Sequence, residues 1–301
     1  MTRWRRPAVL LLVLACVALA ATFVRPTLRM TTPAYRYVFV FDITESMNAE
    51  DVLLAGKSAS RLDYAKRQAL EALKDLPCGT EAGLALFAGH RAFLLITPIE
   101  ICANYREISA VLANISWRMS WEPRSEVAKG LYKSIGLMKQ LPAQTRLVFV
   151  SDGDEAPPID PAVTPQFTGE PGEIRGLLVG VGGDVPAPIP KFDDEGVRIG
   201  EWSARDFENR GSDLPPHMAQ AGVLNAHLSA LQEPYLQTLA AQTGLGYLRL
   251  TDAGALARRL QGAELGIPST RQVDVRGWFA GAALAVFLLT LIAGRNRRRG
   301  A

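Results

Sequence analysis

The sequence predicts an α/β domain built on a doubly wound, mainly parallel sheet flanked by helices, and three observations predict it. Tyr35–Phe41, Arg146–Ser151 and Gly176–Val181 are almost continuously apolar, as strands buried on both faces are. Between them lie longer segments with the apolar spacing of helices. One additional pair of short strands, Gly83–Phe87 and Ala92–Thr97, is joined only by Ala88-Gly89-His90-Arg91, a connection that fits one antiparallel hairpin strand rather than a crossover.

The elements follow in chain order. Arg61–Leu76 repeats apolar residues at Leu62, Ala65, Ala69, Leu70, Leu73 and Leu76, which predicts a helix with one buried face. Ile101–Leu112 and Ser125–Leu141 are predicted helices, the second with Val127, Leu131, Ile135 and Leu137 on its apolar side. Tyr235–Thr243 and Ala253–Leu260 are helical around a last strand at Tyr247–Leu250. Pro157–Gly172 is rich in Pro and Gly and is expected to be a long loop. Pro186–Trp202 is expected to form a protruding hairpin turning at Asp193-Asp194-Glu195-Gly196.

The ends are of a different kind. Pro7–Val24 and Gly277–Gly294 each run eighteen residues without a charge, near the lower limit of the ~17–25 residues that span a bilayer as a helix. Ala18-Leu19-Ala20 fits a signal-peptidase site, but the apolar run continues to Val24, which favours an uncleaved anchor. Seven arginines sit outside these runs: Arg3, Arg5, Arg6, Arg295, Arg297, Arg298 and Arg299. The positive-inside rule then places residues 1–6 and the basic tail 295–301 in the cytoplasm. The expected organisation is thus a span at 7–24, a domain at 35–262 and a span at 277–294. The domain is expected on the outer, periplasmic face of a bacterial inner membrane.

Composition narrows the function classes. With 48% hydrophobic and 21% charged residues the chain can bury a core. Without its seven terminal arginines the net charge of +3 becomes −4, which argues against a nucleic-acid surface. Three cysteines exclude a disulfide-dense scaffold and a Cys-rich zinc site. Cys16 falls in the first apolar run. Cys78 and Cys102 each lie five residues beyond an outer end of the predicted hairpin, so the pair can meet. A disulfide suits an oxidising compartment; two unpaired buried thiols are the other reading.

Chemistry gathers at the carboxyl ends of the apolar strands, where doubly wound sheets bind ligands. The first strand ends in Asp42-Ile-Thr44-Glu-Ser46-Met-Asn48, and another ends in Ser151-Asp152-Gly153-Asp154. Asp42, Thr44 and Ser46 alternate, so a turning loop can point all three inward, with Asp152 approaching from the neighbouring strand. Oxygen-only ligands of this kind suit a hard divalent cation.

D-x-T-x-S after an apolar strand, followed by V-F-V-S-D-G, resembles the metal-ion-dependent adhesion site of von Willebrand factor A domains. The family pattern is D-x-S-x-S, a distant Thr and a distant Asp. Thr44 keeps the hydroxyl of the first Ser. Ser125, at the start of Arg124-Ser-Glu-Val-Ala-Lys-Gly-Leu131, takes the place of the Thr; Ser120 lies nearby. The resemblance covers residues 35–262 and implies that Asp42, Thr44, Ser46, Ser125 and Asp152 bind Mg²⁺, or another divalent cation such as Ca²⁺ or Mn²⁺. D-I-T-E-S-M-N, L-P-C-G-T-E-A-G-L, I-E-I-C-A-N-Y-R-E and G-L-L-V-G-V-G-G also resemble membrane-anchored bacterial A-domain proteins of the MxaL type. That likeness implies partners among other such membrane proteins or a MoxR-type ATPase system. It also implies help in assembling or metal-loading a periplasmic enzyme such as methanol dehydrogenase.

Neutral hydroxyl ligands leave most of a cation's charge uncompensated, so an open coordination position favours a carboxylate from another protein. The expectation is recognition through metal rather than catalysis. His90, His217 and His227 are scattered and pair with no nucleophile in the sequence. A Mg²⁺-dependent phosphohydrolase built on Asp42 is a second reading, but it needs D-x-D-x-T/V, and Thr44 removes the proton-handling carboxylate. A structural anchor with a vestigial metal site is a third. Gly56-Lys57-Ser58 echoes a phosphate loop without its earlier glycine or a strand leading into it. Trp117, Met119 and Trp121, ahead of Ser125, are open to two readings: a partner-facing apolar rim, or packing beneath the long loop.

Overall fold

The computed structural model describes residues 5–24, 26–122, 124–159, 165–208 and 226–299. His217 lies outside them. The N-terminal part carries α1 (Arg5–Ala21), β1 (Thr27–Ala34), β2 (Arg36–Asp42), β3 (Val52–Leu54), β4 (Lys57–Ala59) and α2 (Arg61–Lys74). Then come β5 (Glu81–Ala88), β6 (Arg91–Glu100), α3 (Tyr105–Asn114), α4 (Val127–Met138), β7 (Arg146–Ser151) and β8 (Gly176–Gly180). The C-terminal part carries β9 (Ala187–Pro188), β10 (Pro190–Phe192), β11 (Arg198–Glu201), α5 (Ala204–Glu208) and β12 (Leu228–Ser229). It ends with α6 (Glu233–Thr243), β13 (Gly246–Arg249), α7 (Ala253–Leu260), β14 (Ile267–Asp274) and α8 (Arg276–Arg299).

The chain divides into two compact units, one of residues 34–267 and one of residues 1–33 with 268–301. In the smaller unit β1 pairs with β14 and α1 packs against α8. Among the described residues no helix is long and apolar enough to cross a membrane. α1 has 17 residues and gives way to a 3₁₀ turn at Thr22–Val24, and the side chains of α8 are described only as far as Leu291.

The larger unit is built on a six-stranded sheet in the order β13-β8-β7-β2-β5-β6. All neighbours are parallel except β5 and β6, the expected hairpin. β2, β7 and β8 are buried along nearly their whole length, which is why their sequences do not alternate. On one face Tyr35, Tyr37, Phe39 and Phe41 form an aromatic row with ring centroids 6.0–6.3 Å apart. This row packs into a cluster with Leu73 of α2, Ile108 of α3 and Leu260 of α7. On the other face Val38, Val40 and Phe149 meet Leu131 of α4 and Leu236 of α6. Helices on both faces of a parallel sheet make this an α/β architecture. α4 lies so close to the sheet that a Cβ on Gly130 would stand 2.0 Å from the Phe87 ring, an approach open only to glycine.

Most boundaries follow the apolar pattern, and one does not. The helix expected from Ile101 begins at Tyr105. Residues 101–104 are held in a turn instead: Glu100 accepts from the Gly79 and Ala103 amides, and Cys102 is bonded to Cys78. That disulfide is the expected one. It links residues 24 apart in sequence, a loop for which the chain-entropy account gives about 3 kcal/mol. The Asp193–Gly196 turn joins β10 to β11 as expected, with the Asp193 amide donating to the Val197 carbonyl.

Candidate metal site at the carboxyl edge of the sheet

Asp42 is the last residue of β2 and is fully buried. One carboxylate oxygen accepts from the Thr44 amide at 2.9 Å and from the Thr44 hydroxyl at 2.6 Å. The other accepts from the Ser151 hydroxyl at 2.7 Å. Thr44 and Ser46 Oγ lie 3.4 Å apart, so the alternation in sequence does bring their hydroxyls together. Burial, reinforced by the nearby charge of Asp152 and only partly offset by the Thr44 and Ser151 bonds, pushes the Asp42 carboxyl up to about 7. No hydrogen bond or ion pair shown for Asp42 comes from a cation.

Asp152 follows β7 and is also fully buried, but it is differently supplied. Arg61 donates to one of its oxygens at 2.7 Å, and the Asp154 amide donates to the other at 3.0 Å. A carboxylate oxygen has more than one lone pair, so neither bond closes Asp152 to a further partner. Gly153, at φ +79°, makes the turn and lets its amide return to Ser151 Oγ at 2.9 Å. Asp154 is likewise pushed up to about 7 by burial and by the Asp152 charge.

Ser125 precedes α4 and is 2% exposed. It exchanges two backbone bonds of 2.8 Å with Ala156. On its other side the Gly89 amide donates to the Arg124 carbonyl, and the Glu126 amide to the Gly89 carbonyl. The segment is thus stitched between the end of β5 and the loop that carries Asp152. Among the described residues its Oγ has no hydrogen-bond partner, a state that costs a buried hydroxyl about 1–3 kcal/mol and leaves it able to accept one. Ser120, its neighbour in sequence, is committed to the Glu122 carbonyl at 2.8 Å.

Three residues of the site, Arg61, Asp51 and Glu155, carry no recognisable sequence signal. Arg61, at the first position of α2, is completely buried. Besides Asp152 it binds Asp51 through two bonds of 2.9 and 2.6 Å, and the hydroxyl and carbonyl of Ser229 at 2.7 and 2.8 Å. Burial opposes its charge, but Asp152 and Asp51 outweigh it and hold the guanidinium above its ordinary pKa. Burial would raise the Asp51 carboxyl; the Arg61 bonds and the Gly183 amide overcome it and leave Asp51 below the ordinary value. Glu155 accepts from the Val127 and Ala128 amides, both at 2.9 Å, and so caps α4 from outside the helix.

The donor set fits a hard cation. Asp42, Thr44, Ser46 and Ser125 supply only oxygens, the Ser125 hydroxyl unpartnered among the described residues, and Asp42 is a buried carboxyl that meets no cation among them. A second group, Cys78, Cys102 and Glu100, does not fit one, because its sulfurs are bonded to each other. Gly56-Lys57-Ser58 is the tight turn and second strand of the β3–β4 hairpin, with Ala55 and Gly56 at positive φ.

These features define an α/β domain with carboxylates and hydroxyls gathered at the carboxyl edge of its parallel sheet. Residues 37–155 match the family model described as von Willebrand factor type A domain, a stretch running from β2 to Glu155. No curated protein matches the chain. Among solved structures, an aerotolerance-related membrane protein from Bacteroides fragilis NCTC 9343 is similar at 19% identity and a TM-score of 0.49, over 75% of this chain and 96% of that one. A membrane spanning protein from Vibrio fischeri is similar at 20% identity and a TM-score of 0.29, over 74% and 94%. A von Willebrand factor type A structure from Catenulispora acidiphila is similar at 11% identity and a TM-score of 0.40, over 85% and 44%. At these TM-scores the likenesses carry no argument about function.

Proposed function

We propose that the chain is a protein-interaction module that grips a partner's carboxylate through a divalent cation held at Asp42, Thr44, Ser46, Ser125 and Asp152. The observation that carries this reading is a buried carboxylate that meets no cation among the described residues and has hydroxyl oxygens gathered beside it; the buried Ser125 hydroxyl, unpartnered among those residues, is in keeping with it. Mg²⁺ suits the donor set, and Ca²⁺ or Mn²⁺ shares its preference for oxygen. Asp42 would supply the direct negative charge, and the three hydroxyls neutral oxygens. Asp152 would act mainly through its charge, because Arg61 and the Asp154 amide already hold it. When bound, the cation supplies an electrophilic centre for an incoming carboxylate.

The reading is non-catalytic. Asp42 is surrounded by hydroxyl and amide donors rather than by a base. His90 sits in the β5–β6 turn, and His227 beside β12. A phosphohydrolase built on Asp42 would still lack a carboxylate at position 44.

Anchoring at a bacterial inner membrane, with the domain on the periplasmic side, is supported by the uncharged stretches 7–24 and 277–294, by the arginines outside them and by the disulfide. Assembly or metal loading of a periplasmic enzyme such as methanol dehydrogenase, with a MoxR-type ATPase or sister A-domain proteins, is supported only by the sequence motifs. Crosslinking in native membranes followed by affinity capture tests the reading. Capture should collapse with chelator and with Asp42→Ala alike; capture indifferent to both would overturn the metal bridge.

A further inference from the structure

The rim beside Ser125 has a second chemistry. Of the aromatic residues ahead of Ser125, Trp117 is turned away from a partner: it stacks on Phe192 of β10 at 4.9 Å between ring centroids. The neighbouring Arg118 donates to the Glu195 and Asp194 carbonyls of the β10–β11 turn. Trp121 does the opposite. It packs edge-on against Phe93 of β6 at 4.6 Å and 75°, and both rings stay open, Trp121 44% and Phe93 50% exposed. Met119 and Leu95 are 41% and 38% exposed, and Leu95 lies on the same face of β6 as Phe93, two residues along.

Charge surrounds this aromatic pair. Arg91 is exposed and donates to His90 Nε2 at 3.1 Å. The Arg124 side chain is 64% exposed and only loosely paired with Glu122, at 3.8 Å. Glu122 also lies 3.6 Å from His90 Nδ1. Two arginines against one glutamate make a locally basic spot on a domain whose chain is acidic between its ends. The spot adjoins Ser125, because Gly89, which precedes His90 and Arg91, bonds the backbones of Arg124 and Glu126 on either side of it.

We propose that Phe93 and Trp121, flanked by Arg91 and Arg124, form a docking surface for an acidic partner segment in which a carboxylate is followed or preceded by a large apolar side chain. This rests on the metal-bridge reading above: the cation takes the carboxylate, the aromatic pair takes the apolar neighbour, and the arginines attract the remaining acidic charge. Trp and Arg anchors beside a fixed polar contact are the usual composition of an interface hot spot. The occupant is a peptide-like segment, since an extended chain presents a carboxylate and an apolar side chain on neighbouring residues.

Random peptides displayed on phage, panned on the full chain in lipid nanodiscs with Mg²⁺ and eluted with chelator, test this. Enriched peptides should carry Asp or Glu next to Phe, Leu or Trp. As synthetic peptides they should bind about tenfold or more weakly to Phe93→Ser/Trp121→Ser, while direct Mg²⁺ titration of that variant stays at the wild-type affinity and shows it is folded. Arg124→Glu, a surface change with no packing to lose, should weaken them several-fold. Acidic peptides without apolar preference, indifferent to Phe93→Ser/Trp121→Ser yet abolished by Asp42→Asn, would overturn the docking surface and leave the metal bridge standing. Peptides sensitive to the aromatic pair but bound equally with chelator would overturn the metal bridge, and with it the carboxylate half of this proposal. No enrichment on a chain that binds Mg²⁺ would overturn the surface outright.

Discussion

Asp42 and Asp152 stand at the ends of adjacent parallel strands, both fully buried, yet among the described residues one has a counter-ion and the other does not. Asp152 is held by Arg61, whose guanidinium also binds Asp51 and Ser229. Asp42 has two hydroxyls and an amide. A buried carboxylate left without a cation either takes up a proton or recruits an ion. The rise of the Asp42 carboxyl to about 7 describes the first outcome. The second is what the proposed metal bridge requires. The contrast separates a carboxylate held by the fold from one that the proposed metal bridge would use.

The comparison breaks most dramatically on the Arg61 side. Arg61→Met would strand Asp51 and Asp152 in the interior and release Ser229. Removing one partner of a buried ion pair typically costs about 3–5 kcal/mol, so the urea midpoint should fall sharply, with or without Mg²⁺. Asp42→Asn should behave differently. The metal-free chain should lose little stability or gain some, because a poorly compensated charge leaves the core, and its response to Mg²⁺ should vanish.

Acidity should act on the same side of the contrast. Asp42 and Asp154 have folded pKa values of about 7 against an ordinary 3.8, so the folded chain binds protons that the unfolded chain releases. Stability from this source is complete below about pH 4 and is lost as pH rises through 7. Metal-free melting temperatures, corrected with Asp42→Asn as baseline, should therefore decline from pH 5 to pH 8. Saturating Mg²⁺ should remove most of the Asp42 share of that decline. A metal-free profile that rises over this range and is unchanged by Asp42→Asn would show that Asp42 is already compensated.

The smallest effect sharpens the comparison further. Ser125→Ala removes a buried hydroxyl with nothing to bond, so the metal-free chain should be unchanged or up to about 1 kcal/mol more stable. Mg²⁺ affinity should fall at the same time. Thermal melts in chelator and in Mg²⁺ would show the two changes running in opposite directions.

The ligand side of this contrast is legible in the sequence, and the structural side is not. Asp42, Thr44 and Ser46 stand at alternating positions after an apolar strand, and Asp152 stands after another, so local pattern alone brings them to one edge. Ser125 needs the family resemblance, because a serine before a helix reads equally well as a cap. Arg61 is hidden by its position. At the first turn of an amphipathic helix an arginine ordinarily lies in water, and only the return of Asp51, Asp152 and Ser229 from distant segments buries it. Ser229 is unreadable for the same reason: it lies 168 residues from Arg61. The late start of α3 is set by the Cys78–Cys102 link and by Glu100, contacts that helical periodicity does not encode. Trp117 and Trp121 share one short loop and one composition, and tertiary packing alone sends the first onto Phe192 and the second outward beside Phe93.

The central claim is that Asp42 awaits a cation. Calorimetric titration of the purified full chain with Mg²⁺ near pH 7, repeated in buffers of different ionisation enthalpy, tests it directly. The account predicts one ion bound per chain, with proton release because Asp42 must ionise to bind it, and loss of both signals in Asp42→Asn. Mg²⁺ binding that persists unchanged in Asp42→Asn, or no binding by the folded wild-type chain, would contradict it.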